Sequence, residues 1–175
     1  TINIAVGSEA LIANTTGSSN TAVGYQVMED LTTGSYNVGI GNYALENVTS
    51  DNNTAVGYHT LVANTTGTQN VALGTYALDA NTTADNNTAI GHYTLTTNTT
   101  GANNVAVGIV ALQYNTTGGS NTAVGMDALR ANTTASNNTA VGADALTANT
   151  TGLNLVAVGA NALDANITGN NSTAV

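Results

Sequence analysis

The sequence predicts an all-β fold, a parallel β-solenoid (β-roll) of ten 17-residue coils. Three observations predict it. Glycine recurs as Gly7, Gly24, Gly41, Gly57, Gly74, Gly91, Gly108, Gly125, Gly142 and Gly159, with eight steps of 17 residues and one of 16. A short period held along a whole chain marks stacked repeats that contact only their neighbours. The three residues before each Gly alternate β-branched, small and aliphatic, as in Thr122-Ala123-Val124, which is strand patterning. Finally, helices pack about 8–10 Å apart and strands pair at about 4.8 Å, and a unit this short cannot reconcile the two spacings. Each unit is therefore expected to hold a strand, a corner, a second short strand, another corner and a return. Ten coils would make a rod of about 48 Å.

The strand comes first in each unit. An aliphatic residue always precedes the Gly, and Val23, Val56, Val107, Val124, Val141 and Val158 of this column are read as core. The intervening column is Ala or Gly throughout, so that face is expected to let a neighbouring chain pack closely. Four residues after the Gly stands one large apolar side chain per unit: Leu11, Met28, Leu45, Leu61, Leu78, Leu95, Leu112, Leu129, Leu146 and Leu163. One such residue at a fixed place is expected in the core, on the second strand. The positions one, two and five after the Gly, such as Tyr25, His92, Asp127 and Glu29, vary in type and are read as solvent-facing.

The corner follows as Asn-Thr-Thr-Gly, turn chemistry in which the Gly is expected to supply a positive φ. Asn14, Asn47, Asn64, Asn81, Asn98, Asn115, Asn132, Asn149 and Asn166 each begin an Asn-X-Thr triplet, the acceptor signature for N-linked glycans. The same column also reads as an amide ladder, with each Asn hydrogen-bonded to its copy in the next coil. Sugars on every coil would be crowded at that spacing, so the ladder is the preferred reading. Asn52, Asn86, Asn137 and Asn171 begin further triplets but do not recur in every unit. A second Asn column, from Asn20 to Asn138, marks the corner before the strand.

The pattern is least regular near residues 29–50. Leu31 replaces the corner Asn, and the next unit is one residue short around Asn47-Val48-Thr49, so a local kink or bulge is expected there. Both ends of the chain, residues 1–175, fall inside a unit, and neither shows an atypical cap. The whole is expected to be a single array, a window of a longer fibre.

Composition narrows the partners. One Arg, no Lys and ten acidic residues give a net charge of −9, which argues against nucleic acid or an anionic membrane surface. There is no Cys, and no apolar run long enough to insert in a membrane. No Asp recurs in every unit, so a calcium-loaded repeat is not expected, and no cofactor is implied. His59 and His92 lie in different columns without a nucleophile beside them, and no catalytic arrangement is legible. Thr columns raise ice binding, but Thr15 and Thr16 are adjacent and would point apart in an extended segment. The seven Tyr read as surface filling or as a platform for sugar rings.

The units SNTAVGYQVM, NNTAVGYHTLVANTTG and SNTAVGMDALRANTTG resemble the repeats of trimeric autotransporter adhesin heads, and equally the Asn-Thr-Ala-Val-Gly-Tyr repeats of phage tail fibres. The likeness covers the whole chain. It implies a left-handed β-roll standing side by side with two copies of itself, and a surface-binding role. The 17-residue coil with its added Asn-Thr-Thr corner departs from the adhesin pattern. A core this thin independently favours lateral association. The expected function is a structural, non-enzymatic segment of an extracellular fibre or adhesin, on a cell surface or virion tail, associating with itself and reaching a glycan or surface receptor. The alternatives are a filament carrying glycans on its Asn-Thr-Thr corners and an ice-binding solenoid.

Overall fold

The computed structural model describes residues 2–175. They form a parallel β-solenoid with eleven strands in one sheet, stacked strictly in chain order. The strands are β1 (Ile4–Val6), β2 (Thr21–Val23), β3 (Val38–Ile40), β4 (Thr54–Val56), β5 (Val71–Leu73), β6 (Thr88–Ile90), β7 (Val105–Val107), β8 (Thr122–Val124), β9 (Thr139–Val141), β10 (Val156–Val158) and β11 (Thr173–Ala174). Each residue pairs with its copy one unit on, as Val105 with Thr122 and Val107 with Val124. The described residues form no helix. None is therefore long and apolar enough to cross a membrane.

Two sequence expectations about the walls of the rod are corrected. The middle residue of strands β2 to β10 points inward: Ala22, Ala55, Ala72, Ala89, Ala106, Ala123, Ala140 and Ala157 are fully buried. Alternation then turns its two neighbours outward. Val23, Val56, Val107 and Val124 are only half-buried, and Val141 and Val158 are exposed, so this column is not core. The reason is space. The inward position faces the chain's own opposite wall across a narrow lumen, and only Ala or Gly fits. The small face expected to meet a neighbouring chain is therefore the inside of the rod.

The second correction concerns the Leu segment, which forms turns instead of a strand. Residues two and four after the Gly adopt left-handed backbone, as Gln26 (φ 52) and Met28 (φ 51). This coiling buries two successive residues, Ala128 with Leu129 and Ala145 with Leu146, which an extended strand would send to opposite faces. The segments still bond from coil to coil, Leu112 N–H donating to Ala128 C=O at 3.0 Å. Left-handed backbone costs about 1–2 kcal/mol at a non-Gly residue. Burying a Leu contributes about 1.5–3 kcal/mol, comparable with the cost at the Leu position itself. The Leu column is buried from Leu45 to Leu146, with Leu11 nearly so and Leu163 half-buried.

The 16-residue step leaves the sheet in register, with Val38 opposite Thr54 and Ile40 opposite Val56. The missing residue is taken up in the corner between Val48 and Asn53, where Ser50 occupies the place of the corner Gly and its C=O accepts from Asn37 Nδ2 at 2.8 Å. The expected bulge is thus absent from the strands. The corner Gly series is not left-handed either. A β-carbon on Gly67 would lie 2.5 Å from Asn64 Oδ1, yet Ala84 and Ala135 stand at the same place with the corner bond kept, so the column favours a small residue without requiring Gly. The coil Gly series does require it: Gly125 has φ 140, and a β-carbon would lie 2.6 Å from the Gly142 carbonyl carbon.

Candidate functional site

The described residues enclose no cavity, so the rod presents columns of side chains, and each can be taken in turn. The corner amides point inward. Asn64, Asn81, Asn98, Asn115, Asn132 and Asn149 are fully buried. Asn115 Nδ2 donates to Asn98 Oδ1 at 2.8 Å and to Gly118 C=O at 2.9 Å, so each amide ties its own turn and the coil before it. The same pair of bonds recurs at Asn81, Asn98, Asn132, Asn149 and Asn166. The geometry is that of an amide ladder, and a glycan on the nitrogens from Asn64 to Asn149 would displace its donors and find no space, whereas Asn166 at the end is half-buried.

Asn14 is separated from this run by Leu31 and Val48, which fill the column with buried apolar groups. Its Nδ2 is buried without a partner among the described residues. Asn47 stands one place off the column, half-buried, and donates to Val62 C=O at 2.8 Å. The triplets outside the ladder are the accessible ones: Asn52, Asn86, Asn137 and Asn171 are exposed.

The second Asn column forms a ladder that the acceptor-triplet pattern does not reveal. Asn121 Oδ1 accepts the backbone N–H of Asn138 at 3.1 Å, and Asn121 Nδ2 donates to Ala135 C=O at 2.9 Å. The arrangement runs from Asn20 to Asn138, fully enclosed, and Leu155 closes it by donating its N–H to Asn138 Oδ1 at 2.9 Å. Its signal in the sequence is recurrence alone, at a column adjacent to the strand. The Thr after each corner Asn bonds upward too, Thr116 Oγ1 donating to Thr133 C=O at 3.0 Å.

Two surface features stand out. One is the sheet face, where the outward columns are Thr or Val in one file and Val, Ile or Leu in the next. Leu73 is 45% exposed there, and Ile40, Val71, Ile90, Val105, Val141, Val156 and Val158 are also open. The other is a file of aromatic rings beside the coil glycines. Tyr25 and Tyr43 centroids lie 5.4 Å apart, Tyr43 and Tyr58 6.0 Å, Tyr58 and Tyr76 5.6 Å, and Tyr76 and Tyr93 5.0 Å. His59 lies among them, 4.6 Å from Tyr58, and His92 lies 4.2 Å from Tyr93.

Comparisons with family models, curated proteins and solved structures give no match. The site must be read from its own residues.

Charge around the rings is acidic. Burial raises the Glu46 carboxyl above the ordinary value, with help from Glu29 and Asp30. Burial likewise raises Asp79 against the opposing pull of His59, and its Oδ1 is buried without a hydrogen-bond partner. Burial and the Glu9 carboxylate raise Tyr25, and burial and its ring neighbours raise Tyr76. The single cation, Arg130, lies elsewhere. It pairs with Asp127 at 3.2 Å and covers Tyr114 at 5.7 Å. No group of three His, Asp or Glu side chains among the described residues is placed to hold a metal.

Proposed function

We propose that the chain is a structural, non-enzymatic segment of an extracellular fibre or adhesin, built from copies of itself standing side by side as a homotrimer and used for attachment to a surface. One observation carries the reading: the sheet presents an outward file of Val, Ile and Leu over its whole length, beside a file of Thr, Val and Ile. Apolar patches of this extent mark interaction sites. The files repeat once per coil, at about 4.8 Å. A partner that covers them throughout must carry the same repeat, and this chain does. Two copies rotated about a shared axis supply it in register, which is how closed symmetric oligomers form. The low charge, 6% of residues, and the Asn/Thr-rich surface fit a fibre more closely than a soluble enzyme.

Oxidative cross-linking tests the arrangement. In a symmetric trimer the copies of residue 107 meet at one height, so Val107→Cys is expected to give disulfide-linked chains in high yield. Thr66→Cys, on a corner away from the sheet, is expected to give none. Equal yields at the two positions would reject the sheet face as the interface.

A further inference from the structure

The residue one place after the coil Gly alternates in kind: Tyr25, Asn42, Tyr58, Thr75, His92. Exposed rings therefore recur at every second coil, about 9.6 Å apart, with an amide or hydroxyl between them. Tyr25 is 39% and Tyr58 42% exposed. Tyr43, Tyr76 and Tyr93 stand behind, half-buried, and meet the outer rings Tyr25, Tyr58 and His92 edge-to-face, while Tyr76 and Tyr93 stack on each other. We propose that this file binds a neutral, extended β-1,4-linked polysaccharide lying parallel to the rod axis.

The chemistry of such a polymer matches the file in three ways. Successive sugars in an extended β-1,4 chain turn opposite faces outward, so like faces recur once per disaccharide, close to two strand spacings. The C–H-rich face of a pyranose stacks on an aromatic ring, and the residues between the rings offer hydrogen-bonding groups to the sugar facing the other way. Third, the bordering carboxylates of Glu9 and Glu29 beside Tyr25 and of Glu46 beside His59 are acceptors for sugar hydroxyls, and their charge repels uronic or sulfated glycans. The only Arg lies outside the file, against Tyr114. The file is separate from the sheet face, so the fibre reading stands or falls independently of it.

Calorimetry with cellohexaose tests the proposal, with maltohexaose and oligolysine as the other arms. Cellohexaose is expected to bind, and the α-linked, curved maltohexaose to bind far more weakly. Replacing both Tyr25→Ala and Tyr58→Ala, which removes the two outer rings, is expected to weaken cellohexaose about tenfold or more. Both rings are exposed, so the variant should keep the wild-type circular dichroism. Should it not, shifts of the Tyr ring proton resonances of the wild-type chain on adding cellohexaose serve instead. No cellohexaose binding, binding equal in the variant, unshifted ring resonances, equal binding of maltohexaose, or preferential binding of oligolysine would each overturn the proposal.

Discussion

The Cγ1 of Val27 stands 2.6 Å from the place a β-carbon on Gly39 would occupy, and the Met28 methyl stands 2.9 Å from it. Val27 replaces the Ala found at this position in most coils, and Gly39 replaces the inward Ala of its strand. The two departures compensate, the missing β-carbon at Gly39 leaving room for the larger Val27 and for Met28. Gly39→Ala is therefore expected to destabilise by about 1–3 kcal/mol through overpacking. Adding Val27→Ala should recover most of that loss, so a urea-unfolding double-mutant cycle will show strong coupling. Additive effects would mean the two side chains do not share one space.

Asn98 lies in the middle of the corner ladder. Asn98→Ala removes the donor to Gly101 C=O and the acceptor for Asn115 Nδ2. The loss is expected to be about 2 kcal/mol or more, since buried groups lose their partners. Asn98→Asp should be worse at neutral pH, because it adds a buried charge and removes both donors. Lowering the pH should return part of the loss in the Asp variant only. Chemical unfolding at two pH values measures both.

Val110 holds φ 52, where a β-branched side chain is strained. Neighbouring coils carry Asp127, Asp144 and Asn161 at the same place. Val110→Asn is expected to stabilise by about 1 kcal/mol, read as a higher urea midpoint.

Glu46 and Asp79 have carboxyls raised by burial. A raised acid binds its proton more tightly in the folded chain, so the contribution is fully present below the ordinary carboxylate value. It is lost as pH rises through the folded value. The rod is expected to gain stability on mild acidification from neutral pH. Asp79→Asn, which keeps the shape and drops the charge, should flatten that dependence and raise the melting temperature at pH 7. A thermal melt series against pH checks it.

How much of this was legible in the sequence follows from which signals depend on period and which on direction. The 17-residue recurrence and the single Leu per unit require stacking and a core, and the structure has both. Direction was harder. Large aliphatic residues ordinarily point inward, so Val107 read as core and Ala106 as a contact face, whereas the narrow lumen reverses them. The Leu segment reads as a strand because its left-handed residues, such as Leu129 (φ 51), are neither Gly nor Asn, the residues that ordinarily signal that backbone. One mark did exist: two adjacent columns, Ala128 with Leu129, are apolar in most units, and an extended strand cannot bury both. At the corner, the Asn-X-Thr triplet held two readings because both need only Asn and Thr. Burial separates them, with Asn115 inside and Asn137 outside.

The central claim is that the open sheet face is covered by further copies of this chain. Sedimentation equilibrium of the wild-type protein across a wide concentration range tests it most directly. The account predicts a species of three times 17.4 kDa, about 52 kDa, that Leu73→Glu with Val107→Glu dissociates. A single 17.4 kDa species at every concentration would contradict it.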